Sequence, residues 1–409
     1  MINIITLKHK ESMKIVIISN KITPHQVPIC NELSKKHDFS FIETMNAEVS
    51  DTGWYANSSE YTYVIPYTQD KIINQEIKRK VIEADVVIIG SAPDSYIEQR
   101  LKDGKLTFKY SERFYKKGIT VKNVLRSIIG TWRHHGRFQK YPLFMLCASA
   151  YTACDCARFG NYKNRMFKWG YFPETKHYEM GQICKNKKRD KHSILWAGRF
   201  LSWKHPEVAI FLAEKLKKAG YSFDMNFVGY GYLEENMREL IEEMDVGDCA
   251  HILGRKSPQE VRYYMEMSEV FLFTSDYNEG WGAVLNEAMN SACVPVVSHA
   301  VGAAPFLVDH NVNGLLYKSG DNVELFRCVK SLFDNPERIN EMGMNAYKTI
   351  VNMWCPEVAA RRLTKLIECM LNENKATELY QDNGPCSVAE VVSQKDMYSV
   401  ITSKSREVR

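Results

Sequence analysis

Short, uninterrupted apolar runs recur along almost the whole chain, each followed by a helical stretch, and they set the narrowest limit on its fold. Lys14-Ile-Val-Ile-Ile-Ser-Asn20 and Asp85-Val-Val-Ile-Ile-Gly90 have the continuous apolar character of strands buried on both faces, as in a parallel sheet covered by helices. A further strand is expected at 106–110. The pattern restarts at Ser193-Ile-Leu-Trp-Ala-Gly198 and continues through 223–228, 251–253, 270–274 and 294–298. Ser257-Pro-Gln-Glu260 between them is a helix start, with a Ser cap, Pro in the first turn and Glu three residues after the cap. The chain's 409 residues exceed one ordinary core and suit two α/β, Rossmann-like domains.

Residues 174–191 are polar, carry six Lys or Arg and lack apolar periodicity, so they read as a linker between domains at 1–173 and 192–355. A helix over 356–371, with Leu363, Leu366, Ile367 and Met370 on one face, is expected to pack back on the first domain. Beyond it, 372–409 is a polar tail expected to be loosely held.

Charge and cysteine content narrow the function classes. The net charge of +5 is exceeded by one stretch, 112–141, with eight Lys or Arg against the single acid Glu112. Its interleaved Phe114, Tyr115, Ile128, Ile129, Trp132 and Phe138 suit an anionic membrane surface as well as a solvated basic helix. It has no accompanying nucleic-acid motif, so no nucleic-acid partner is expected. Eleven scattered cysteines without Cys-x-x-Cys argue for free thiols in a reducing cytoplasm. No apolar run reaches membrane-spanning length, so a cytoplasmic protein, at most peripheral at the inner face of the plasma membrane, is expected.

Two facing domains of this kind hold ligands at the carboxyl ends of their strands. There, Gly198-Arg199 is followed by Lys204: two cations near a helix start, suited to a diphosphate. A surface Arg and Lys beside a helix cap is the plainer alternative. At another strand end comes Glu279-Gly-Trp-Gly282, with Glu287 in the helix that follows. Gly280 and Gly282 would let backbone amides approach a ligand, and the carboxylates would accept from sugar or ribose hydroxyls.

Together these motifs resemble the retaining glycosyltransferases of family 4, whose GT-B fold sets two Rossmann-like domains across a cleft. The resemblance rests on Gly198-Arg199 with Lys204, on Glu279-Gly-x-Gly with Glu287, and on Gly229-Tyr-Gly231, Leu253-Gly254-Arg255, Pro295-Val-Val and Asn313-Gly314-Leu315. It covers roughly 193–352 well and the first half in outline. It implies that Arg199 and Lys204 hold the donor diphosphate and that Glu287 binds the ribose. Glu279 would face the donor sugar, amides of Gly280, Trp281 and Gly282 would meet sugar or phosphate, and Gly254 and Arg255 would lie near the base. Glu279, Arg199 and Lys204 are the catalytic candidates. One departure is Gly302-Ala-Ala-Pro305-Phe306, where the family often has Glu after the Pro.

The implied activity is metal-independent transfer, with retention, of a sugar from a UDP- or GDP-linked donor to a glycan or undecaprenyl-linked acceptor, as in bacterial surface polysaccharide assembly. No metal site is expected, because the chain contains no Asp-x-Asp, and no cofactor beyond the nucleotide-sugar co-substrate. The acceptor side falls to the first domain, with His25 after the first strand and Glu112 after a later one as candidates. A GT-B sugar phosphorylase and a non-catalytic sugar-nucleotide-binding relative are the alternatives. A nucleotide-dependent oxidoreductase would need Gly-x-Gly-x-x-Gly after a strand, which is missing.

Overall fold

The computed structural model describes residues 12–46, 55–116, 118, 124–179, 181, 183, 185, 187, 190–372 and 376–404. The first domain is built on a parallel sheet of β1 (Lys14–Ser19), β2 (Asp38–Glu43), β3 (Val64–Ile65), β4 (Val86–Ile89), β5 (Thr107–Ser111), β6 (Leu143–Cys147) and β7 (Met166–Lys168), in spatial order β3-β2-β1-β4-β5-β6-β7. The second uses β8 (His192–Ala197), β9 (Phe223–Val228), β10 (Ala250–Gly254), β11 (Val270–Phe273), β12 (Val294–Ser298) and β13 (Leu315–Tyr317), in order β10-β9-β8-β11-β12-β13. In both sheets the order reverses beside the first strand, at β1/β4 and at β8/β11. The expected strands correspond to β1, β4, β5 and β8 through β12. Of those not foreseen, β2 hid because it carries Ser40 and Glu43. Both are buried, and Glu43 is satisfied by the Ile22 N–H at 3.0 Å and the Ser58 hydroxyl at 2.7 Å.

The domains meet on an aromatic cluster. Phe172 and Phe306 each stack with Trp354, with centroids at 6.2 and 6.0 Å and near-parallel planes, and Trp281 lies 5.7 Å from Trp354. Helix Pro356–Leu371 then crosses to the first domain, where the Thr364 hydroxyl meets His37 Nε2 at 2.9 Å. The connecting segment is laid along the second domain: Lys176 N–H donates to Asn290 Oδ1 at 2.9 Å, and the buried Lys187 ammonium donates to the Met265 carbonyl at 2.8 Å.

Residues 376–404 are packed, against the expectation of a loosely held tail. Arg362, nearly buried, forms a two-pronged pair with Asp382 at 2.8 and 2.6 Å and stacks 3.7 Å from the Tyr380 ring. The Cys386 and Ala389 N–H groups donate to Lys168 and Met166 carbonyls, so the segment covers the open edge of β7. Helix Gln394–Lys404 then buries Met397 and Ile401, and its Tyr398 hydroxyl reaches Glu324 of the second domain. Polar composition concealed this packing because it relies on ion pairing and backbone pairing, with few apolar anchors.

Candidate functional site

The crevice opens where the carboxyl ends of β8 and β11 diverge. After β8 the chain turns through Gly198 and Arg199 into a short 3-10 turn, Ser202–Lys204, and passes His205 in left-handed conformation (φ 49°) before helix Pro206–Lys218. The turn is pressed against the loop after β9: a Cβ on Gly229 (φ 153°) would stand 1.8 Å from the Gly198 carbonyl oxygen. Only glycine fits there.

Lys204 is held from several directions. Its carbonyl accepts the Thr274 hydroxyl at 2.6 Å, its ammonium lies 4.5 Å from the Trp203 ring centroid, and Nζ donates to Glu279 Oε2 at 2.7 Å. The same Glu279 oxygen accepts from Ser275 at 3.1 Å. Both members of the ion pair are about one-eighth exposed. The sequence candidates Lys204 and Glu279 are thus brought together directly. An ammonium has three N–H donors, so two remain for a ligand. Arg199 is exposed at the same strand end. Three neighbours that were not among the sequence candidates complete this wall: His205 bonds Glu207 at 3.0 Å and Asp276 at 3.3 Å, and these contacts raise its pKa, that with Glu207 most.

Further along the crevice, the Gly254 carbonyl accepts the Gly229 N–H at 3.0 Å, and the exposed Arg255 guanidinium sits 5.1 Å over the Tyr230 ring. The donor loop itself leaves Gly282 at φ 91°, where a Cβ would strike the Phe273 ring at 2.6 Å. Glu287 occupies the first turn of helix Val284–Asn290. Trp281 is fully buried among the interdomain aromatics, in room left by Gly170, and its Nε1–H donates to Asn286 Oδ1 at 2.9 Å. Its side chain is an anchor between domains, which leaves only its backbone for a ligand. The departure at 302–306 buttresses this loop: Ala303 N–H donates to the Trp281 carbonyl at 3.1 Å, and Phe306 belongs to the aromatic cluster.

Across the cleft, Glu112 follows β5 immediately. Its carboxylate accepts from the Tyr171 hydroxyl at 2.7 Å and from Lys116 Nζ at 2.8 Å. It rests so close to Gly280 of the second domain that a Cβ there would stand 1.7 Å from Oε2. His25 stacks on Tyr171, with centroids 6.2 Å apart and planes inclined by 15°. Burial lowers the His25 pKa, and the negative charge of Glu287 opposes that effect. The two first-domain candidates, distant in sequence, therefore share one wall through Tyr171. No local pattern in the sequence marked that tyrosine, because its role depends on the two domains meeting.

Residues 183–349 match the family model described as "Glycosyl transferases group 1". The chain is 29% identical over 180 residues to the amylovoran biosynthesis glycosyltransferase AmsK of Erwinia amylovora, covering 43% of this chain and 44% of that protein. It is 32% identical over 183 residues to the putative colanic acid biosynthesis glycosyltransferase WcaL of Escherichia coli (strain K12), covering 43% and 45%. The chain thus spans less than half the length of these curated relatives. Among solved structures, Anabaena Alr3699/HepE in complex with UDP is similar in fold, with a TM-score of 0.63 at 13% identity over 86% of this chain and 99% of that one. Residues 183–349 are therefore similar to glycosyl transferases group 1, in a chain whose two facing Rossmann-like domains have the GT-B fold.

Proposed function

We propose that the chain is a retaining, metal-independent glycosyltransferase that moves a sugar from a UDP- or GDP-linked donor to a glycan or lipid-linked acceptor in bacterial surface polysaccharide assembly. The observation that carries this reading is the Lys204–Glu279 pair at the β8/β11 reversal, in the loop whose Gly280 meets Glu112 of the first domain. The amylovoran and colanic acid relatives support the polysaccharide context, and the likeness to a UDP-bound structure supports a nucleotide donor.

In this reading Lys204 and Arg199 bind the donor diphosphate, Glu287 binds the ribose, and Gly254 and Arg255 border the base. The bond between the anomeric carbon and the β-phosphate oxygen breaks, and its electron pair stays on the nucleoside diphosphate. An acceptor hydroxyl forms the new bond on the face that the phosphate leaves, and its proton passes to a departing phosphate oxygen. Charge grows on the diphosphate as the bond stretches, so fixed cations stabilise the transition state more than the bound donor. Glu279 fixes the Lys204 ammonium and faces the sugar. The acceptor would enter from the His25, Tyr171 and Glu112 wall.

Thermal melts with a panel of UDP- and GDP-sugars test the donor assignment. One matched donor should raise the melting temperature of the wild type, and the rise should shrink in Glu287→Ala. No shift across the panel would refute the reading.

A further inference from the structure

Helix Val124–His134, in the β5–β6 crossover, has one face fastened to the domain and one turned outward. On the inner face, Thr131 is buried and pairs with the Tyr115 hydroxyl, which also donates to the Ser127 carbonyl at 3.4 Å. Below the helix, His135 packs 4.7 Å from the Phe114 ring and bonds Tyr162 at 2.8 Å. On the outer face, Leu125, Ile128, Ile129 and Trp132 are 72, 43, 64 and 63% exposed. Their spacing of i, i+3, i+4 and i+7 makes one continuous stripe rather than the scattered apolar residues common on protein surfaces.

The charge around the stripe has one sign. Arg126 and Arg133 flank it on the same side of the helix, and Arg137 and Lys140 follow, all exposed. Residues 124–140 contain no Asp or Glu. The acids packed nearby are engaged: Asp94 with Lys109 and His134, and Glu98 with Arg137. A stripe of Leu, Ile and Trp bordered by arginines matches the boundary of an anionic bilayer, where apolar side chains enter the acyl region and guanidinium groups meet phosphates.

We propose that this helix is the docking surface of the chain on an anionic lipid bilayer. Its Ser127 and Thr131 are tied to Tyr115, three residues past Glu112 in the segment that leaves the carboxyl end of β5. A docked molecule therefore holds the acceptor wall beside the lipid surface, which suits an acceptor sugar carried on a lipid. That second step rests on the function proposed above, whereas bilayer docking does not.

The test is flotation of the full chain with vesicles of phosphatidylcholine alone, or with about one-third phosphatidylglycerol, at low and high salt. The chain should float with the anionic vesicles, bind zwitterionic ones at least about tenfold less, and be released by salt. Ile129→Glu with Trp132→Glu should reduce binding by about tenfold or more, while the melting temperature and donor turnover with a water-soluble acceptor stay at wild-type levels. Arg126→Ala with Arg133→Ala should weaken binding several-fold, on anionic vesicles only. Failure of the wild type to bind anionic vesicles, or equal binding by the Glu variant, overturns the proposal. So does a dimer of the wild type in solution that the Glu variant converts to monomer, since a second copy would then cover the stripe. Vesicle binding without any donor turnover would leave docking standing and remove the catalytic reading instead.

Discussion

Gly280→Ala probes whether the two halves of the cleft meet as described. The added methyl would stand 1.7 Å from Glu112 Oε2 and 2.0 Å from its Cδ, whereas a real Cβ keeps at least 3.0 Å from such atoms. The Gly280 backbone itself needs no glycine, since its φ is not among the positive ones. The whole effect must therefore come from Glu112, whose carboxylate has to withdraw by more than about 1 Å, enough to break its 2.7 Å bond from Tyr171. Lys116 is more exposed and follows at little cost. A lost hydrogen bond to a charged group amounts to about 1.5–3 kcal/mol. If the domains stay closed, the loss appears as reduced stability in a denaturation curve. If they part to relieve the clash, it appears as a roughly 10- to 150-fold fall in kcat/KM for sugar transfer, because the reacting state is the closed one. In a Glu112→Ala background the methyl meets no carboxylate, and Gly280→Ala should add less than about 0.5 kcal/mol. Equal cost in both backgrounds would refute the contact.

Three further outcomes follow from the geometry. His299 is buried, accepts the Ser319 N–H at Nδ1 and meets the Tyr277 hydroxyl through Nε2, and burial lowers its pKa to about 4. The native state thus keeps it neutral while the unfolded chain protonates it near 6.5. Its contribution is complete above that pH and is lost as pH falls from about 6.5 to 4, by about 3 kcal/mol. His299→Gln should show a shallower loss in urea unfolding over that window, and an identical slope would contradict the assignment. Asp382→Ala removes the carboxylate that pairs with the Arg362 guanidinium and should destabilise by about 1.5–3 kcal/mol, with proteolysis appearing after Leu371; a wild-type digestion pattern would argue against the packed tail. Glu279→Gln keeps the shape but weakens the hold on Lys204, and should lower kcat by on the order of tenfold with little change in melting temperature. An unchanged kcat would remove Glu279 from the site.

The sequence was most legible where one residue type answers one local demand. Apolar runs such as 14–19 and 86–89 can only be strands covered on both faces, and Gly229 and Gly282 sit where a side chain would collide. The strand ends then brought Lys204 and Glu279 into direct contact. What stayed hidden depends on partners remote in sequence. Tyr171 gains its role only from Glu112 and His25. The Trp281 side chain anchors the domains because Trp354, Phe306 and Gly170 surround it, a role separate from the backbone amide contact expected of that residue. Arg100, fully buried, donates to the Val81, Ala84, Asp85 and Leu106 carbonyls, a staple of the first domain that no periodicity could reveal.

The most direct test of the central claim is the rate of nucleoside diphosphate release from the matched nucleotide-sugar, measured with acceptor for the wild type and for Lys204→Gln, which retains a donor toward Glu279. The wild type should turn over, and the folded variant should lose about 10²- to 10³-fold. A near-wild-type rate in Lys204→Gln, or no turnover of any UDP- or GDP-sugar by the wild type, would contradict that claim.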